Sequence, residues 1–101
     1  MGRIPEFEEK VDSSTEQSEP PLYRVLLHND NYTTMDFVVL VLETIFNKAP
    51  AEATQIMLNV HKQGIGACGV YPAEVAETKV AMVHHLAQEH HFPLKCSMEE
   101  A

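Results

Sequence analysis

The fold is decided by residues 22–38, which read LYRVLLHNDNYTTMDFV. At their start the residues alternate between two faces, one of which carries Tyr23, Val25 and Leu27. An alternating apolar pattern of this kind predicts a β-strand with at least one buried face. Residues 28–31, HNDN, are rich in side chains that favour turns, so the strand is predicted to end there.

A helix is predicted directly after this turn. Thr33 or Thr34 can serve as its N-cap, and Asp36 places an acidic side chain in its first turn. The apolar residues that follow recur at helical spacing and form one stripe for the core, which consists of Met35, Val38, Val39, Leu42, Ile45 and Phe46. The helix is expected to end at residues 47–49.

Proline and glycine mark the ends of the remaining elements. Pro50 suits the first turn of a second helix, and Gly64 suits the position just after its end. Residues 64–71 contain too many glycines for a helix and are predicted to form a second strand. Pro72 opens a third helix, and Pro93 starts a short last strand. The predicted fold is therefore α+β, a single small domain of order β-α-α-β-α-β with a three-stranded antiparallel sheet packed against three helices.

Residues 1–20 differ in composition from the rest of the chain. They are rich in acidic residues and serine and have almost no apolar surface to bury. We expect them to form a disordered extension, within which residues 2–7 are set aside as a potential cloning scar. Residues 21–101 are expected to form the folded domain.

The charge of the chain narrows the possible partners. Its 101 residues carry a formal net charge of −8, and a surface of this sign repels phosphate backbones, which argues against nucleic-acid binding. No apolar run approaches the roughly 20 residues of a membrane-spanning helix, and the start shows no signal-peptide pattern. The expectations are a cytoplasmic location, no contact with membranes and a monomeric state.

No motif indicates catalysis. The chain lacks a nucleophile elbow, a glycine loop that binds phosphate and the paired histidines of a metalloprotease. Cys68 and Cys96 lie in apolar, strand-like stretches without the spacing of metal ligands, which is typical of buried thiols in a reducing compartment. We expect a protein that is not an enzyme and that needs neither a metal nor another cofactor.

Two polar features are candidates for ligand binding. Residues 29–34, NDNYTT, concentrate hydrogen-bond acceptors between a strand and a helix, which suits an ammonium group but also a turn followed by an N-cap. His61 lies near the end of the second predicted helix, where it can simply interact with the helix dipole. On local chemistry alone, the purely structural interpretation is favoured for both features.

Histidines are frequent in and after the third predicted helix, where they occupy positions 84, 85, 90 and 91. His84 and His91 are seven residues apart, and His85 lies four residues before Glu89, so a surface metal site is geometrically possible. No second motif supports such a site. A solvated polar face is the preferred interpretation, and a metal carrier is the alternative.

Four separated parts of the chain match one protein family in order and spacing. They are residues 23–38, residues 53–61 (ATQIMLNVH), the run from CGVY at 68–71 to EVAETKV at 74–80, and residues 93–99 (PLKCSME). In these parts the chain resembles the ClpS adaptors, and the resemblance covers nearly the whole predicted domain.

The resemblance implies a non-catalytic adaptor of the Clp protease. ClpS proteins bind N-degron substrates, whose first residue is bulky and apolar (typically Leu, Phe, Tyr or Trp), and deliver them to the ClpA or ClpC unfoldase. By resemblance, the residues around the substrate α-amino group would be Asn29, Asp30, Asn31 and His61. Those around its side chain would be Leu27, Thr33, Met35, Val38, Met57, Val60 and Leu94. Glu74 and Lys79 would contact the N-terminal domain of the unfoldase.

Two positions depart from the family pattern. Many members carry an acid where this chain has Asn31, which implies a weaker or more selective contact with the α-amine, and many carry proline where it has Thr34. The acidic N-terminal residues resemble the family's extension that engages the unfoldase. An alternative of another class is an interaction domain similar in fold to the C-terminal domain of the ribosomal stalk, which would not need Asn29 and His61 beside a methionine-lined cavity.

Overall fold

The computed structural model describes residues 20–101, which form six elements in the predicted order. The strands and helices are β1 (Leu22–His28), α1 (Met35–Thr44), α2 (Pro50–Gln63), β2 (Ile65–Pro72), α3 (Ala73–Glu89) and β3 (Lys95–Glu100). The α+β class and the order β-α-α-β-α-β are thereby confirmed. The predicted disordered extension falls almost entirely on residues 1–19, which lie outside the described residues.

The three strands form one antiparallel sheet of order β2-β1-β3. β1 is the central strand, and it pairs with β2 from Leu22 opposite Pro72 to His28 opposite Ile65. The register shifts between Val25 and Leu26, where β2 contains an irregularity. The central position of β1 places the polar loop that follows it at one end of the sheet, beside the helices.

The core lies between the sheet and the helices. Val25 and Leu27 have no solvent exposure, which confirms the predicted buried face of the first strand. Leu26 points to the opposite face, yet it is also buried, with 9% exposure, because it lies on the central strand. Cys68 from β2 and Cys96 from β3 extend the same core.

Local chemistry accounts for the ends of α1 and α2. Thr34 is the N-cap of α1, and its Oγ1 accepts a hydrogen bond from the Phe37 amide at 3.1 Å. Pro50 is the first residue of α2, as predicted. Gly64 follows α2 with φ of 89°, a left-handed conformation that glycine adopts without a Cβ penalty.

Some boundaries differ from the prediction by a few residues. α1 ends at Thr44, although Ile45 and Phe46 continue its buried stripe from a turn after the helix. Pro72 ends β2 and caps α3 instead of being the first residue of that helix. The last strand begins at Lys95 and not at Pro93.

Candidate functional site

The loop after β1 is held against the end of α2. The backbone amide of Asn29 donates a hydrogen bond to the Gly64 carbonyl oxygen at 2.9 Å. Gly64 directly follows α2, whose last turn contains His61. This bond therefore brings Asn29 and His61, which are distant in sequence, to the same edge of the molecule.

Asp30 organises the loop itself. Its Oδ1 accepts the amide hydrogens of Tyr32 at 2.8 Å and of Thr33 at 2.7 Å. Its Oδ2 accepts the hydroxyl hydrogen of Thr33 at 2.7 Å. Partial burial raises the pKa of the Asp30 carboxyl, but the hydrogen bonds from Thr33 and Tyr32 outweigh this effect and leave the pKa below its usual value. The carboxylate is therefore ionised at neutral pH.

A cavity of about 230 Å³ opens between this loop, α1 and α2. It is lined by Asn29, Asp30, Asn31, Thr33, Met35, Val38, Met57, Val60 and His61. The most buried of these side chains are apolar, namely Val38 and Val60, with 7% and 2% exposure. Asn29, Asn31 and His61 are exposed. The cavity is therefore apolar inside and polar at its opening.

The polar side chains at the opening are available to a ligand. Within residues 20–101, the side chains of Asn29, Asn31 and His61 make no hydrogen bond to other groups. An amide side chain offers both an acceptor oxygen and a donor NH₂, and a neutral imidazole offers one acceptor nitrogen. The opening can thus bind a group with several N–H donors, and the interior can bind an apolar side chain.

Every residue that lines the cavity was among the sequence predictions. Two further predicted lining residues, Leu27 and Leu94, belong to the buried core and are not part of the cavity wall. Leu27 lies on the inner face of the central strand, where the helices cover it completely.

The two residues predicted to contact an unfoldase lie on α3. Glu74 is exposed in the first turn of the helix. Lys79 is only partly exposed, because its Nζ donates a hydrogen bond to the Ile45 carbonyl oxygen at 2.6 Å. The same Nζ lies 5.8 Å and 5.5 Å from the ring centroids of Phe46 and Tyr71. Lys79 therefore connects α3 to the end of α1.

A shallow groove of about 380 Å³ surrounds these residues and is lined by Glu74, Val75, Thr78, Lys79 and Met82. Val75 and Met82 are 42% and 45% exposed, although both are apolar. The exposed face of α3 therefore combines charged and apolar groups, as protein interfaces do.

Both cysteines have the properties of buried thiols. The pKa of Cys68 is raised to about 12, mainly by burial and in part by the nearby Cys96, against the lowering effects of Lys48 and of a backbone hydrogen bond with Leu27. Burial also raises the pKa of Cys96 to about 12. A thiol with such a pKa is almost entirely protonated at neutral pH, so neither residue is an activated nucleophile.

The histidines of α3 do not form a metal centre in the described part of the chain. His84 Nε2 accepts the amide hydrogen of Cys96 at 3.0 Å and so anchors β3 to the helix. His85 Nε2 lies 3.2 Å from Glu89 Oε2 on the surface. No group of three or more side chains suited to a metal ion is found in residues 20–101. In the same residues, every helix is too short or too polar to cross a membrane.

Comparisons with known proteins place the chain among the adaptors that it resembles. Residues 18–97 match the family model of the ATP-dependent Clp protease adaptor protein ClpS. The ATP-dependent Clp protease adapter protein ClpS of Desulforapulum autotrophicum is 57% identical over 98 residues, which cover 95% of this chain and 94% of that protein. The protein of the same name from Oleidesulfovibrio alaskensis is 66% identical over 85 residues, which cover 84% of this chain and 82% of that protein.

A solved structure shows the same fold. The structure of Agrobacterium tumefaciens ClpS2 bound to L-phenylalaninamide matches with a TM-score of 0.79 and 34% sequence identity. The match covers 81% of this chain and 99% of that protein. Its ligand, L-phenylalaninamide, has a free α-amino group and an aromatic side chain.

Proposed function

The chain belongs to the ClpS family of ATP-dependent Clp protease adaptor proteins, and we propose that it binds the first residue of a substrate protein and delivers that protein to the ClpA or ClpC unfoldase. It catalyses no reaction itself. The observation that carries the proposal is the cavity with an apolar interior and a polar opening. Only the N-terminal residue of a protein carries a free α-ammonium group directly beside its side chain. The polar opening and the apolar interior of the cavity together therefore select the first residue of a substrate.

The α-amino group binds at the opening, beside Asn29, Asp30, Asn31 and His61. An ammonium group has three N–H donors, and the amide oxygens and the neutral imidazole nitrogen are suitable acceptors for them. The ionised carboxylate of Asp30 adds a favourable charge near the ammonium. Acetylation of the substrate would remove the charge and two of the donors, so it should prevent binding.

The side chain of the first residue occupies the apolar interior, which is lined by Met35, Val38, Met57 and Val60, with Thr33 at its edge. The volume of about 230 Å³ is below the roughly 300–1,000 Å³ of pockets for drug-sized ligands and suits a single side chain. Burial of a Leu or Phe side chain contributes about 1.5–3 kcal/mol. A first residue of Leu, Phe, Tyr or Trp should therefore bind roughly 10- to 150-fold more tightly than Ala.

The unfoldase docks through its N-terminal domain on the exposed face of α3. Glu74 and Lys79 contribute the charges there, and Val75 and Met82 contribute apolar contact area. The substitution Glu74→Lys should weaken binding to the isolated N-terminal domain of the unfoldase and leave the affinity for Phe-peptides unchanged. Loss of both affinities, or of neither, would contradict this assignment.

The remaining parts of the chain complete the adaptor. Residues 21–101 form the adaptor domain, and residues 1–20 act during delivery as the segment that engages the unfoldase. The protein works in the cytoplasm as a monomer. Its partners are the substrate terminus and the unfoldase, with no nucleic acid and no membrane.

The test is fluorescence anisotropy of labelled peptides that differ only in their first residue. Peptides that start with Phe or Leu should bind, whereas an Ala-peptide and an acetylated Phe-peptide should bind far more weakly. Equal binding of Phe-, Ala- and acetyl-Phe-peptides would refute the proposed function. His61→Ala should weaken Phe-peptide binding, and His85→Ala provides a matched control, because His85 is an exposed histidine on α3 outside the cavity.

A further inference from the structure

We infer that Gly66 is a positioning residue for the cavity: it lets Val60 lie close against β2, and a side chain at position 66 would push Val60 inward and narrow the space for the first residue of a substrate. Gly66 itself lies outside the cavity wall, so it acts only through Val60. The inference rests on the proposed function and names a determinant of first-residue preference outside the residues that line the cavity.

Gly66 is required for space and not for backbone conformation. It lies within β2, where it pairs with Leu27 of β1, whereas Gly64 just before the strand has a φ of 89°. A Cβ added to Gly64 would meet no atom within 4 Å. A Cβ added to Gly66 would lie 2.6 Å from Cγ2 of Val60, far inside the roughly 3.5–4.0 Å of an optimal contact between two carbon atoms. Only a residue without a side chain therefore fits against Val60 where α2 packs on β2.

The surroundings of Val60 leave its side chain little freedom to move aside. Val60 is 2% exposed and belongs to the core. Valine branches at Cβ and has one strongly preferred rotamer in a helix. The added Cβ would already touch the backbone of α2, because it would lie 3.5 Å from both the Ile56 carbonyl oxygen and the Val60 amide nitrogen. To reach a normal contact distance, the Val60 side chain would therefore have to move by about 1 Å, either with this part of α2 or by leaving its preferred rotamer.

The side chain that would move borders the cavity. Val60 lines the cavity from α2, and within residues 20–101 no residue of β2 does so, which places Val60 between Gly66 and the cavity. A movement away from Gly66 is then a movement toward the space of about 230 Å³ that accepts the substrate side chain. Tightly packed apolar sites tolerate added volume poorly. Because an aromatic ring fills more of this space than a leucine side chain, a narrower cavity should penalise Phe more than Leu.

The test measures the affinities of Gly66→Ala for Phe- and Leu-peptides by fluorescence anisotropy. We expect this variant to lose roughly tenfold in affinity for the Phe-peptide and less than about threefold for the Leu-peptide. Val60→Ala removes the methyl group that the new Cβ would meet. The double variant Gly66→Ala/Val60→Ala should therefore show the same ratio of Phe- to Leu-peptide affinity as Val60→Ala alone. No such rescue would occur if Gly66→Ala weakened binding by loosening the strand.

Gly69→Ala is the matched control, because Gly69 lies in the same strand and is crowded to a similar degree by a different neighbour. A Cβ added to Gly69 would lie 2.5 Å from the hydroxyl oxygen of Tyr71, and neither of these residues lines the cavity. This substitution should disturb β2 and leave the ratio of Phe- to Leu-peptide affinity unchanged.

Circular dichroism establishes whether each variant is folded. An unchanged affinity ratio in folded Gly66→Ala, an equal change in Gly69→Ala, or a change that persists in the Val60→Ala background would overturn the inference. If Gly66→Ala does not fold, the double variant decides: it should fold because the clashing methyl group is absent, and its failure to fold would show that Val60 is not the limiting contact. Equal binding of Phe- and acetyl-Phe-peptides by the wild-type protein would instead refute the proposed function.

Discussion

Lys79 is expected to stabilise the domain from within, which can be tested with Lys79→Met. Its ammonium donates to the Ile45 carbonyl oxygen at 2.6 Å, just beyond the end of α1. The last turn of α1 contains no basic residue of its own, so Lys79 supplies from α3 the positive charge that favours the end of a helix. Methionine keeps most of the aliphatic length and removes only the ammonium.

The size of the effect follows from these contacts. A hydrogen bond to a charged group contributes about 1.5–3 kcal/mol, and a cation–π contact near the surface contributes about 0.5–1 kcal/mol. The return of the ammonium to water, and the packing of methionine beside Phe46 and Tyr71, offset part of this loss. We expect a net loss of about 2 kcal/mol in the free energy of unfolding, which corresponds to a fall of roughly 8–16 °C in Tm.

The assay is urea unfolding followed by circular dichroism, with Lys48→Met as the matched control. Lys48 Nζ lies 3.7 Å from Glu52 Oε2 in a surface pair four residues apart on the chain. Such a pair contributes about 0.3–0.5 kcal/mol, so the control should change stability very little. If both variants lose the same small amount of stability, Lys79 does not cap α1 and its contacts in the structure have no energetic role.

Three further predictions concern the cavity, the thiols and the sheet. Met35→Ala should reduce the preference for Phe- over Val-peptides roughly tenfold, because it shortens the cavity wall; an unchanged preference in the anisotropy assay would contradict this role. Cys68 and Cys96, whose burial raises the pKa of each to about 12, should react with Ellman's reagent only after unfolding, and rapid labelling of the native protein would be the contrary result. Burial and the charge of Lys95 lower the pKa of His28 below 6.5, so the unfolded chain binds the proton first as the pH falls. The stability that neutral His28 contributes is therefore complete above about pH 6.5 and is lost as the pH falls through its lowered pKa. The substitution His28→Gln should reduce the dependence of the urea unfolding midpoint on pH. An unchanged pH dependence in this variant would exclude the role of His28.

Short-range chemistry made most of the fold predictable. Thr34 as N-cap, Pro50 in the first turn of α2 and Gly64 after its end each depend on a few neighbouring residues, and all three are confirmed. The alternation that ends at Leu27 likewise identified the buried face of the central strand. These signals are local, so one sequence was enough to read them.

Long-range contacts were not predictable in the same way. Lys79 is 34 residues from Ile45, and nothing in the sequence around either residue indicates that they meet. The resemblance assigned Leu27 to the side-chain pocket, and the structure places Leu27 on the central strand in the buried core. The cavity residues were found because the family pattern relates separate segments, whereas local chemistry favoured a turn and a helix end.

The position of Lys79 also decides how the docking proposal must be tested. α1 carries Met35 and Val38, which line the cavity, near its start, and Lys79 of α3 caps its end. A Lys79 variant that fails to deliver substrate would therefore be ambiguous, since loss of the cap can weaken the cavity as well as the docking surface. The Glu74 side chain makes no hydrogen bond within residues 20–101, and only its backbone oxygen accepts a bond, from Thr78. Glu74 is consequently the better probe of docking, because its substitution changes the surface of α3 and leaves α1 in place.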